Sequence, residues 1–440
     1  MSADRYVVAG LAHVRSSWFV EVSRWATVGS LPIEFVKCVS PEELRARLVA
    51  GRPFSAALLD GRLPAVDRDL LALLDGHGAA ALVVTDGPST VDWSSLGAAA
   101  VLTTPLERGA LLDALVAHSR PVSPVARSMP ASTADGTTRA WRGPLVAVTG
   151  RPGTGVSTVA AATAQALADD PRHAGDVVLT DLARHAAQAV LHDARDVVPG
   201  IQELVEAHRS GRPTTQEIRG LTFDVAPRGY RLLLGLRRHR DWVTLRTEAF
   251  GAAVDGLRSA ARVVVADVDH DLEGEAETGS FDIEDRNLMA RRSVADAAVV
   301  VVVASPTTTG LAGLVHHLTD LRAAGLPGAR TLVVLNRAPR RPRQRAELAR
   351  TVADLTGATT DDDPYVGPVF VPERRALDDI HRDVARFPSS VTAPLGTAVR
   401  ALLDTLDPRQ HDDAEAQPTP IAPGSLGSFT EDDDGLADGT

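Results

Sequence analysis

The 440-residue chain carries 46 Lys and Arg against 57 Asp and Glu, a formal net charge of −11, with 44% hydrophobic residues. Length and apolar content fit two or three domains, and the acidic balance gives no chain-wide basic excess of the kind nucleic-acid binding uses. Cys38 is the only cysteine, which excludes an intramolecular disulfide, and no apolar run approaches the roughly 20 residues of a membrane-spanning helix. In chain order, Tyr6–Gly10, Ile33–Val36, Ala56–Asp60, Ala81–Thr85 and Ala99–Thr103 read as five short strands separated by helical stretches such as Pro41–Val49. This first α/β unit spans residues 1–120. Residues 121–142, rich in Pro, Ser, Ala and Thr, read as a flexible linker. A second α/β unit covers 143–405, with strands beginning at Leu145, Asp176, Arg262, Ala297 and Thr331. Residues 406–440 read as a disordered acidic tail: from Asp407 onward nine acidic residues face one arginine, which gives −8, and Leu426 and Phe429 are isolated apolar points for a partner. No charged-then-apolar segment opens the chain, so a cytoplasmic location is expected.

The first unit resembles a response-regulator receiver domain, which implies a flavodoxin-like fold. Asp60 falls on the phosphoacceptor position and Thr85 on the hydroxyl position after the fourth strand. Two departures weigh against phosphorylation. Gly10-Leu11-Ala12-His13 holds no carboxylate where the Mg²⁺-binding acidic pair belongs, and Thr104-Pro105 stands in place of Lys-Pro. Phosphoryl transfer to a carboxylate needs a cation to offset developing charge. The expectation is a pseudoreceiver with Asp60 as a vestigial phosphoacceptor, and a phosphorylation-dependent response regulator is the alternative.

In the second unit, Leu145-Val146-Ala147-Val148 leads into Gly150-Arg151-Pro152-Gly153-Thr154-Gly155-Val156-Ser157-Thr158 and then an alanine-rich helix. Strand, glycine loop and helix form the frame of a phosphate-binding loop, where converging N–H groups and the helix N-terminus attract anions. Valine occupies the position of the phosphate-gripping lysine, removing charge and donors together. Asp181 and Asp267 end apolar strands, where an aspartate is either a turn or cap former or a metal ligand.

The loop resembles the deviant Walker A motif of the ParA/MinD ATPases. Arg151 falls on that family's signature lysine and Val156 on its P-loop lysine. The resemblance covers roughly 143–405 and implies a mostly parallel, SIMIBI-type P-loop NTPase sheet. It implies ATP and Mg²⁺ as cofactors, contacted by Gly150, Arg151, Gly153, Thr154, Gly155, Val156, Ser157 and Thr158. Ser157 and Asp267 are the implied Mg²⁺ ligands, and Asp181 is the first aspartate of the switch, with Ala183 replacing its water-positioning partner. Asn336 takes the place of the residue that reads the adenine edge. Asp181 and Asp267 are thereby the catalytic candidates, with very weak or no ATPase activity expected.

A receiver-like unit joined to a degenerate ParA/MinD-like unit resembles the CpaE/TadZ family, and Gly279–Arg291 with His239-Arg240-Asp241-Trp242 resembles actinobacterial septum-site-determining proteins. This implies a homodimeric spatial regulator or scaffold of cell division or of pilus-type secretion machinery, recruited to septum or pole by protein partners. An active ATPase using Arg151 across a dimer interface is the alternative. DNA is a disfavoured partner: the clusters Arg337–Arg350 and Arg237–Arg240 read as solvated faces. No basic amphipathic helix closes the chain, so no direct membrane anchor is expected. Histidines lack zinc-ligand spacing.

Overall fold

The computed structural model describes residues 5–122 and 141–406, except 174, 195–197, 358–362 and 375–376. The acidic tail from residue 407 and most of the expected linker lie outside the described residues.

The first sheet comprises β1 (Tyr6–Leu11), β2 (Ile33–Cys38), β3 (Ala56–Asp60), β4 (Ala80–Thr85) and β5 (Ala100–Thr103). All neighbours pair in parallel in the order β2-β1-β3-β4-β5, the order of flavodoxin-like doubly wound sheets. Parallel strands covered on both faces read as continuous apolar runs. Every residue of β3 is accordingly buried, with Leu44, Leu70 and Leu74 packed on one face of the sheet and Trp18, Leu111 and Leu115 on the other.

The second sheet comprises β6 (Leu145–Thr149), β7 (Val177–Leu182), β8 (Phe223–Val225), β9 (Tyr230–Leu233), β10 (Val263–Val268), β11 (Val299–Ala304), β12 (Thr331–Ala338) and β13 (Val366–Pro372). Its order is β13-β12-β11-β6-β10-β7-β9-β8, parallel except for the β8–β9 pair. Three of these strands, β8, β9 and β13, gave no clear sequence signal. β8 is three residues long, and β13 is a half-exposed edge, so neither is a long buried run.

The order in which strands are added changes side at β6, which has β10 on one side and β11 on the other, both parallel to it. The helix after β6, Val156–Ala168, packs with the last helix, Ser389–Leu406, on one face. The helix after β11, Thr308–Ala323, packs on the other. Such a switch point opens a crevice at the carboxyl ends of the strands. The Val156–Ala168 helix is buried continuously from Val159 to Leu167. Its alanines let sheet and final helix approach closely, so the loop that precedes it is fixed by the core.

The two sheets are docked. Helix Arg68–Gly76, which follows β3, packs against helices Ile201–Ser210 and Thr247–Ala260. Arg68 Nε donates to the His208 carbonyl at 3.0 Å and its Nη2 to that of Gly211 at 3.3 Å, satisfying carbonyls at one helix C-terminus. The neighbouring Asp69 accepts from the Glu248 N–H at 3.0 Å, in the first turn of the other helix, whose own Ncap residue supplies no side-chain bond. Arg209 pairs with Asp67 at 3.0 Å. Adjacent residues of opposite charge thus complement opposite ends of two helix dipoles.

Candidate phosphate-binding site

The glycine loop is shaped by its neighbours in the sheet. A side chain at Gly150 would collide with the Val303 carbonyl of β11, and one at Gly155 (φ +89°) with the Asn336 amide. Both positions need glycine for close approach, and Gly155 also for its left-handed backbone. Within the loop, Thr154 Oγ1 donates to the Arg151 carbonyl at 2.7 Å. Behind it, buried Asn336 at the end of β12 donates through Nδ2 to the Thr154 carbonyl at 2.8 Å. The 13-residue helix then begins at Val156 with no side-chain cap, so its first-turn N–H groups point at the crevice with no side-chain acceptor.

A cavity of about 390 Å³ opens over this loop. Gly150, Arg151, Gly153, Gly155, Val156, Ser157, Thr158 and Asp267 line it, as do Ala183, His185, His270 and Arg337. Thr154, Asp181 and Asn336 do not line it; they form the layer behind. The Asn336 amide is occupied by the loop backbone and by the Arg337 N–H, which it accepts at 2.9 Å. Val156 turns aliphatic surface into the core beneath the loop.

β7 and β10 pair so that Asp181 and Asp267 stand side by side, and both are buried. Burial raises both carboxyls above the ordinary range. The neighbouring Asp267 charge adds to this at Asp181, while the Ser157 hydroxyl and Gln188 partly offset it at Asp267. The fully buried Gln188 bridges the pair. Its N–H donates to Asp181 at 2.8 Å, and its Nε2 to Asp267 at 2.7 Å and to the Ser157 carbonyl at 3.0 Å. Its Oε1 is buried with no partner. Ala183 donates its N–H to Asp181 at 3.3 Å.

Gln188 itself is held by a second buried cluster. His192 Nδ1 donates to the Gln188 carbonyl at 2.8 Å, while its Nε2 lies 2.6 Å from the Tyr230 hydroxyl. Burial, reinforced by Arg228, pushes His192 down to about 4, so the ring is neutral. Arg228 is fully buried, donates to the carbonyls of Ala385 and Ile380 at 3.0 Å each, and stands 4.6 Å over the Phe387 ring. The same segment brings His381 to 3.1 Å from Thr158 Oγ1. Sequence reasoning missed Gln188, His192, Arg228 and His381. Their local sequence carries no signal that could have found them: His381, for example, stands among Asp378, Asp379, Arg382 and Asp383.

In the first sheet, Asp60 is closed off from solvent. Arg62 Nε and Nη2 reach its two oxygens at 3.0 and 2.9 Å, the His13 and Arg62 N–H groups donate at 3.1 Å each, and Ser16 donates as well. Burial pushes this carboxyl up, but the Arg62 and Ser16 bonds and the backbone N–H groups outweigh it and bring it to about 2. Arg62 also pairs with Asp86 at 2.9 Å, and Asp86 accepts from Thr104 at 2.7 Å. Thr85 donates to the Gly87 carbonyl.

No protein-family model matches the chain, and no curated protein matches it. Among solved structures, the cell division ATPase MinD of Pyrococcus furiosus is 17% identical, with a TM-score of 0.44 over 59% of this chain and 99% of its own. A ParA family ATPase from Chlorobium tepidum is 13% identical, with a TM-score of 0.46 over 58% and 97%. The septum site-determining protein MinD from Pyrococcus horikoshii, complexed with Mg-ADP, is 16% identical, with a TM-score of 0.43 over 60% and 98%. No helix among the described residues is long and apolar enough to cross a membrane.

Proposed function

We propose that the second unit is a weak nucleotide-binding scaffold, with ATP hydrolysis slow or absent, that dimerises and recruits protein partners for septum placement or pilus-type secretion. One observation carries this reading: an uncapped helix N-terminus and glycine cradle are held in place by the core, while an aliphatic side chain fills the lysine position. N–H groups alone hold phosphate, but without a cation they hold it weakly. The oxygen donors at Ser157 and Asp267 suit Mg²⁺, a hard cation that would neutralise phosphate charge there. Ala183 leaves no second switch carboxylate to position water.

The active-ATPase reading rests on Arg151, which is exposed and, among the described residues, makes no ion pair or hydrogen bond through its guanidinium. ATP turnover by the purified chain decides between them. Turnover well below that of an intact P-loop ATPase is expected, and sustained hydrolysis abolished by Asp267→Ala would overturn the scaffold reading. Sedimentation with ATP tests the dimer, in which Arg151→Ala is expected to remove any nucleotide-driven association. The first unit is proposed to be a pseudoreceiver that binds rather than switches. Imaging and pull-down of the tagged chain from its own cells test recruitment from the cytoplasm to septum or pole.

A further inference from the structure

We infer that Arg337 supplies, from within the same chain, the cationic contact to a bound nucleotide's phosphates that the loop lost at Val156. The inference rests on the nucleotide-binding reading and assigns the compensating residue.

Four potentially cationic side chains border the 390 Å³ cavity: Arg151, His185, His270 and Arg337. His185 stacks on His239, with centroids 5.4 Å apart and planes at 10°. His270 packs edge-on against buried His317 at 6.2 Å. The Arg151 side chain runs along helix Thr308–Ala323 against Gly313 and also borders a separate cavity of about 660 Å³. Arg337 is exposed at the mouth of the phosphate cavity, and among the described residues no acceptor takes its guanidinium.

Its backbone is also specifically held. Arg337 has φ +56°, in the left-handed region that arginine seldom adopts, and backbone of this kind concentrates at functional positions. Asn336 fixes it there, because one side-chain amide accepts the Arg337 N–H and donates to the Thr154 carbonyl. The residue is thereby fastened to the phosphate loop. Its guanidinium presents several donors in one plane, a geometry that matches phosphate oxygens.

Calorimetric titration of the full chain with Mg-ATP tests this. Arg337→Asn removes the charge but tolerates the left-handed backbone, and is expected to weaken binding by about tenfold or more. Arg337→Lys keeps a charge but loses the planar donor fork, and is expected to bind less tightly than wild type and more tightly than Arg337→Asn. In a Val156→Lys background, which restores the cation, Arg337→Asn is expected to cost less than about threefold. Unchanged affinity in Arg337→Asn, or an equal loss in both backgrounds, overturns the inference while the nucleotide reading stands. If the wild-type chain binds no ATP at millimolar concentration, both fall.

Discussion

Both sheets place a buried aspartate at the end of a parallel strand, Asp60 on β3 and Asp267 on β10, and they treat its charge in opposite ways. Asp60 is surrounded by donors from its own chain, with Arg62 gripping both oxygens, and its carboxyl falls to about 2. Asp267 lies beside Asp181 with only neutral donors between them, and both carboxyls are raised. The first site is electrostatically complete and needs no ligand. The second carries negative charge that a proton or an incoming cation relieves.

Removing the charge at the complete site is expected to have the largest effect. Asp60→Ala leaves Ser16 and two N–H groups without their acceptor, while Arg62 keeps Asp86, and is expected to destabilise by about 3 kcal/mol, read as a lower urea midpoint. Because the folded carboxyl is depressed, its stabilisation is full above about pH 4 and is lost as pH falls from there towards about 2. A wild-type acid limb identical to that of Asp60→Asn would remove the distinction between the sites.

At the incomplete site the sign reverses. Raised carboxyls mean that the native state keeps protons the unfolded chain has released, so stability falls as pH climbs above about 4. Asp181→Asn, which removes one charge of the pair while its amide oxygen can keep the Gln188 N–H bond, is expected to stabilise the protein, without added divalent cation, by about 1–2 kcal/mol at pH 8 and not at all at pH 4. Urea titrations at the two pH values check it. A loss of stability at pH 8 would mean that the pair is already neutralised.

A smaller effect is expected where the sheets meet. Arg68→Ala leaves the carbonyls of His208 and Gly211 without their side-chain donor, at a cost of about 1 kcal/mol. Faster amide exchange near residues 201–211 would report loosened docking, and unchanged exchange would show that the apolar contact alone holds the units together. The smallest expected effect is none: acetyl phosphate should not label the protein, because Arg62 and Ser16 already occupy the Asp60 oxygens. Labelling lost in Asp60→Asn would make the two sites alike.

The sequence alone determined the long buried strands, the α/β alternation in both units, the glycine loop between β6 and its helix, and the uncharged aliphatic residue at Val156. These are local properties: runs of Val, Ile, Leu and Ala, glycine spacing and side-chain chemistry lie within about ten residues of one another. Only the tertiary structure decided that Gln188 bridges Asp181 and Asp267, since the Gln188–Asp267 contact spans 79 positions. The same holds for Asn336, which meets Thr154 across 182 positions, and for Arg68 and Asp69, which cap helices of the other unit. Even Arg62, two residues from Asp60, gave no sign that it would close over the carboxylate, because the turn that brings it back is set by packing. Strand order and register bring such polar groups together, and hydrophobic periodicity specifies which face a residue takes without specifying which distant residue it meets.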